Sequence, residues 1–308
     1  MGWALTQDHW VYGLRVRSAI ALPDWPAAAA GEPDLFIRRE PVPGPELEGP
    51  PYSARFVVEA GELRLGVVGV GRYAASGGSL IRVDPDPDAK AEDLRLYLTG
   101  ALMGAILHQR STYPLHASCV VLPSAGGGVG FAGRSGAGKS TLVSTMVRRG
   151  AAFVSDDLCV MAPADSAGLR VWPGAARLKL DESGLGAVPG TVSELDPAGG
   201  DRGKFHLPVD ASLDHASPVP LTRVYILTDG EGPPRIERLT GLDAISAVVD
   251  ETYFAAAALA MGLSSQVFRL AAKVAQTLRV SRLVRPRGLE HLPAVAALIE
   301  RDAHHPEA

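Results

Sequence analysis

The run Gly133-Arg-Ser-Gly-Ala-Gly138-Lys139-Ser140-Thr141 contains in its first eight residues a complete GxxxxGK[ST] phosphate-binding loop. The apolar run Val129 to Ala132 precedes it, and Leu142, Val143, Met146 and Val147 follow at helical spacing, so the strand, loop and helix that the motif requires are all in place. Gly133, Gly136 and Gly138 let the backbone of Arg134, Ser135 and Ala137 turn its N–H groups toward phosphate oxygens, and the helix N-terminus adds its dipole. Lys139 neutralises the β/γ charge, Ser140 is placed to ligate Mg²⁺, and Thr141 completes the set. A nucleoside triphosphate is therefore expected. An LSGGQ-like segment would have to follow the loop in an ABC-type ATPase, and the only Ser-Gly-Gly, Ser76 to Gly78, precedes it. No NKxD-type base-reading segment is present, which argues against guanine specificity.

Two acids, Asp156 and Asp157, follow the apolar run Ala152 to Ser155. If that run is the next parallel strand, both carboxylates stand at its C-terminal end beside the loop, where open α/β sheets bind ligands. One could hold Mg²⁺ while the other accepts a proton from an attacking hydroxyl. His116, before the run Ala117 to Leu122, is expected to project toward the same mouth. Val224 to Asp229 reads either as a strand ending in a second metal-side carboxylate or as one ending in an Asp-Gly turn. Arg202 and Lys204 offer positive charge that could close over a transferring phosphoryl group. Cys119 and Cys159 read as small buried thiols.

These residues need a scaffold. The 308-residue chain is 46% hydrophobic and 21% charged, enough for about two domains at roughly 100 to 200 residues each. Thirty Lys+Arg against 34 Asp+Glu give a net charge of -4, which leaves no global positive field for nucleic acid. The longest apolar stretch, Ala255 to Leu263, is far short of the roughly 20 residues that span a bilayer, and the opening residues lack a secretory pattern, so a soluble cytoplasmic protein without a membrane partner is expected. Short runs broken by Pro and Gly predict a small β-rich N-terminal module over 1–88. A linking helix is expected over about 89–109, and α/β layering within a catalytic domain over 89–308. Residues 184–218, rich in Gly, Pro, Ser and Asp, read as a long mobile loop.

Leu115-His116-Ala-Ser, the loop Gly133 to Thr141, and Phe153-Val-Ser-Asp156-Asp157 resemble, in order and spacing, the catalytic domain of the HPr kinase/phosphorylase family. Tyr12 to Pro23, Pro33 to Arg38, Arg177-Leu-Lys179-Leu and Arg282-Leu-Val-Arg-Pro286 are similar to the HPr-kinase-like proteins associated with lasso-peptide biosynthesis. The resemblance implies an α/β P-loop fold and ATP- and Mg²⁺-dependent phosphorylation of a serine hydroxyl on a peptide or small protein. It implies Asp156 as catalytic base, Asp157 as Mg²⁺ partner, His116 as a residue that tunes the pair, and a homo-oligomer. Thr141 stands where the family has Glu, and the Gly-Ile-Ile-Asp signature is missing, which argues against HPr as acceptor and against the reverse reaction. Two alternatives from the same residues are an ATP-driven peptide-handling module that makes no phosphoproduct, and a kinase of a small metabolite.

Overall fold

The computed structural model describes residues 6–123, 126–165, 168–185, 196–199, 203–210 and 213–304. The first seven strands are β1 (Gln7–Val11), β2 (Leu14–Ser18), β3 (Leu35–Arg39), β4 (Ala54–Glu59), β5 (Glu62–Val67), β6 (Gly71–Ser76) and β7 (Leu80–Pro85). They form one sheet in the order β1-β2-β3-β7-β6-β5-β4. Strands β1 and β2 make a hairpin whose two loop residues, Tyr12 and Gly13, have φ of 54° and 74°, the left-handed pair that tight hairpin turns demand. The predicted linking helix is present but interrupted. It runs as α1 (Ala91–Tyr97), a π-helical turn at Leu98–Leu102, and α2 (Met103–Gln109). Its buried residues Leu94, Leu98, Leu102 and Ile106 pack on the sheet's Leu35, Ile37, Leu63 and Ile81.

The rest of the chain builds an α/β unit. In order come β8 (Tyr113–Leu115), β9 (Ala117–Val121), β10 (Gly128–Ala132), α3 (Lys139–Arg148), β11 (Ala152–Ser155), β12 (Cys159–Asp165), β13 (Gly168–Trp172), β14 (Arg177–Asp181), α4 (Glu182–Leu185), β15 (Asp196–Pro197), β16 (Lys204–Pro208), β17 (Val219–Asp229), β18 (Arg235–Arg238), α5 (Gly241–Asp250), α6 (Ala255–Ala260), α7 (Ser264–Thr277), β19 (Arg279–Arg285) and α8 (Leu292–His304). Nine strands form a sheet along β11-β9-β10-β17-β13-β12-β8, with β19 paired to β17 and β18 to β19. Helices cover both faces, as alternating elements require. Val248, Ala271 and Val274 of α5 and α7 pack with Cys119, Ala132 and Val224. Leu142, Met146, Val295 and Ile299 of α3 and α8 pack with Val120, Phe131 and Tyr225 on the opposite face. The fold is α/β, with a small β-rich N-terminal module.

Two expectations are corrected. Strand β11 points the same way as β10, but it is not β10's neighbour: β9 lies between them and pairs antiparallel with both. Within 184–218, Lys204–Pro208 is not loop but a strand, paired with β14 on one side and β15 on the other. Its alternation of Phe205 and Leu207 supplies apolar contacts to the α3 side of the core.

Candidate active site

Strand β10 is buried along its whole length and delivers the loop at its C-terminal end. Gly133, Gly136 and Gly138 all have positive φ. Gly138 is the most constrained, because at φ 82° it also passes so near Arg285 that a Cβ would lie 2.9 Å from the guanidinium. Helix α3 begins at Lys139, which is 6% exposed. Its Nζ donates to the Gly133 carbonyl at 2.5 Å and the Arg134 carbonyl at 3.3 Å. Burial pushes its pKa down, against the charges of Asp157, Glu251 and Asp156. A cleft beside it is lined by Ser135, Gly136, Gly138, Lys139, Ser140, Thr141, His116, Asp157, Lys179, Asp181 and Lys204. Lys139, Lys179 and Lys204 are three of the chain's five lysines, so the cleft concentrates a scarce charge where phosphates would lie. Arg134 faces a separate groove with Asp229 and Glu251. Arg202 lies outside the described residues.

The acids and the histidine meet where the sheet changes partners. Strand β8 pairs with β12, then the chain steps at His116 into β9, which pairs with β10. Strand β11 ends at Ser155, and residues 156–158 step back into β12. The two crossings coincide, so His116 Nε2 lies 3.0 Å from Asp157 Oδ1. Asp157 has φ 67°, and the Leu158 N–H donates to the Asp156 carbonyl across it, closing a three-residue turn. A non-glycine residue held there is strained, a condition typical of functional positions. The backbone N–H of His116 is fixed by the Glu251 carbonyl at 2.7 Å, and Tyr253 packs edge-on against its ring.

The two aspartates have different surroundings. Asp156 Oδ1 accepts from Ser118 Oγ at 2.5 Å and Ser140 Oγ at 2.9 Å, and its Oδ2 accepts the Lys179 backbone N–H at 2.8 Å. Burial, and then the Asp157 charge, push its carboxyl above the usual range despite those bonds. For Asp157 burial alone would act the same way. The His116 hydrogen bond and the charges of Lys179, His116 and Lys139 overcome it and hold the carboxyl well below that range. Its side chain is 44% exposed and borders both the cleft and an adjoining pocket. The sequence reading paired Ser140 with Asp157 as metal ligands, whereas the structure brings Ser140 to Asp156. Hydroxyl and carboxylate oxygens are the donors that Mg²⁺ takes, so Ser140 and Asp156 fit it. Among the described residues no group of three or more His, Cys, Asp or Glu is arranged to hold a metal ion by itself. A cation there would draw most of its ligands from phosphate and water, as Mg²⁺ commonly does.

Three contributors carried no assigned role in the sequence. Arg285, at the end of β19, donates to the Ala137 carbonyl and fastens the loop from below. Glu251 is 9% exposed and accepts the Gly133 N–H; burial pushes its carboxyl up against the charges of Lys139 and His116. Lys179 lines both the cleft and the adjoining pocket. Arg285 and Lys179 lie in segments whose resemblance was visible, but Glu251 at the end of α5 had no local signal. Asp229 ends β17 beside β10, yet is 51% exposed and paired with Arg287 at 2.7 Å, as the turn reading expects. Cys119 and Cys159 are free and buried.

Among solved structures, the chain is similar to the HPr(Ser) kinase/phosphatase from Coxiella burnetii, with 14% identity over 61% of this chain and 89% of that chain and a TM-score of 0.33. No family model and no curated protein matches the chain. The chemistry of the site therefore has to be read from its own residues.

Proposed function

We propose that this chain is an ATP-dependent kinase that transfers the γ-phosphoryl group to a serine hydroxyl of a peptide or small protein. The observation that carries the reading is the position of Asp157, an ionised carboxylate on the wall between the lysine-lined cleft and the adjoining pocket. A nucleotide in the cleft and an acceptor in the pocket would meet at that residue. The Ser Oγ–P bond forms as the bond from γ-phosphorus to the bridging oxygen of ADP breaks, and the hydroxyl proton passes to a carboxylate.

Geometry favours Asp157 over Asp156 for that proton, the reverse of the order the resemblance implies. Asp156 has the higher pKa, but its oxygens already accept three hydrogen bonds. Among the described residues Asp157 accepts one side-chain hydrogen bond, from His116, which orients the carboxylate. Reach is decided before pKa, and a loose phosphoryl-transfer transition state needs the proton removed late, so a strongly ionised acceptor suffices. Asp156 then serves the metal side through Ser140. Bound Mg²⁺ would supply neutralisation of phosphate charge, while Lys139, Lys179 and Lys204 supply the protein's share.

A precursor peptide of the lasso type is the acceptor suggested by the resemblance of residues 12–38. Mass spectrometry of serine peptides encoded beside the gene, incubated with the protein, ATP and Mg²⁺, tests the reading. Addition of one phosphate to a serine is expected. ATP consumption with no phosphopeptide would replace it with the ATP-driven module.

A further inference from the structure

The pocket that meets the cleft at Asp157 and Lys179 is walled by residues from both ends of the fold. The α/β unit contributes Asp156, Leu158, Ala175, Arg177, His206 and Tyr253, and the helical connection contributes Leu96, Thr99 and Gly100. The remaining two, Tyr12 and Trp25, come from the N-terminal β-rich region.

Tyr12 reaches the pocket because it sits at the tip of the β1–β2 hairpin. The turn docks on the segment after β13: the Tyr12 N–H donates to the Pro173 carbonyl at 3.3 Å. Two glycines make the approach close. A Cβ on Gly174 would stand 3.0 Å from the Tyr12 ring, and one on Gly13 would stand 2.3 Å from the Trp172 indole. The phenol lies within electrostatic reach of Arg177, Asp157 and Asp156, and burial pushes its pKa far up, so it remains a neutral O–H donor. Trp25, 4% exposed, lines the pocket with its indole ring, which packs edge-on against His9. At Gly100, in the π-helical turn, a Cβ would press on the Tyr253 hydroxyl at 3.0 Å, and short π-helical turns of this kind recur at functional sites.

We propose that the hairpin tip completes the acceptor site, with Tyr12 and Trp25 receiving and orienting a seryl side chain of an extended peptide in front of Asp157. This rests on the kinase reading. The charged groups at the pocket leave no surplus of positive charge: Arg177 is already paired with Asp24, Lys179 stands against Asp156 and Asp157, and His206 is driven by burial and the Arg177 charge to a pKa of about 3 and stays neutral. A neutral hydroxyl side chain suits such a pocket better than an anionic one. Walls from a hairpin, a helix, a strand and the 253 segment enclose the pocket on several sides, which suits a side chain lowered from an extended strand of peptide.

The test uses the full chain, ATP, Mg²⁺ and a mixture of acetylated, amidated pentapeptides with serine fixed at the centre and the flanking positions varied. Phosphoserine is read by mass spectrometry, ATP affinity by calorimetry. Tyr12→Phe is expected to lower kcat/KM for the phosphorylated peptides about three- to tenfold, the loss of one hydrogen bond from an uncharged donor, with ATP affinity unchanged. Trp25→Phe is expected to act in the same direction, with the thermal midpoint recorded alongside to register any loss of packing. Equal phosphorylation by wild type and Tyr12→Phe would overturn the hairpin's role while leaving the kinase reading intact. No phosphoserine from the wild type, with ATP still bound, would remove the kinase reading and this inference with it.

Discussion

At the scale of single residues, the site separates two adjacent carboxylates by their environments, a recurrent way for one fold to assign proton roles. Asp157→Asn is expected to lower phosphotransfer about 10²- to 10⁴-fold, the usual range for a general base, with ATP affinity largely retained in calorimetry. Asp156→Asn should instead raise the Mg²⁺ concentration needed for half-maximal rate, because it alters the partner of Ser140. If the two phenotypes are exchanged, the order implied by the family resemblance is the correct one. The pKa directions add a second prediction. Asp157 is depressed, so its stabilising contribution is complete above the unfolded value near 3.9 and is lost as pH falls below it. Asp156 is raised, so it disfavours the fold as pH rises from that value through its folded pKa. Because the Asp157 charge is one cause of the rise, carboxyl titration by NMR should show Asp156 moving back toward ordinary values in Asp157→Asn. No movement would mean that burial alone sets it.

Among the elements, the phosphate loop is held from two sides, by Lys139 folded onto its own carbonyls and by Arg285 beneath Ala137. Arg285→Ala removes a charged donor to a half-buried carbonyl, an interaction of about 1.5 to 3 kcal/mol. ATP affinity should fall by at least about tenfold by calorimetry, and an unchanged affinity would reduce Arg285 to packing. The strand, loop and helix around Gly133 to Thr141 were legible because the motif, the glycines and the helical spacing are all local. The insertion of β9 between β10 and β11 was not, since sheet order depends on pairing between distant segments, and Ala152 to Ser155 looks the same beside either neighbour. The crossing at His116 was hidden for a related reason: nothing local shows that Leu115 and the run Ala117 to Leu122 take different neighbours, and only the separate partners of β8 and β9 divide them. Strand β16 was masked by its surroundings, five residues of alternation inside a Gly- and Pro-rich stretch.

At the scale of the whole molecule, one hydrophobic cluster joins the N-terminal sheet to the α/β unit. Leu35, Ile37, Ile81 and Val83 share it with Leu158 and Val160, which directly follow the aspartate pair, and with Ala175 and Ala257. Separate domains would be expected to unfold separately in a chain this long. A shared core, with Tyr12 and Trp25 set into the pocket beside Asp157, should instead couple them. Leu35 is fully buried on β3, so Leu35→Ala should cost about 2 to 5 kcal/mol in denaturant unfolding. Its consequence should extend past its own sheet. Tryptophan fluorescence in a Trp172→Phe background, which leaves Trp3, Trp10 and Trp25 of the first 88 residues as emitters, and calorimetric ATP binding at Lys139 should report the same midpoint, and the two should shift together when Leu35→Ala is added. If fluorescence shifts while ATP binding holds its wild-type midpoint, the two parts unfold independently, and the N-terminal sheet contributes to the catalytic pocket only as a docked accessory.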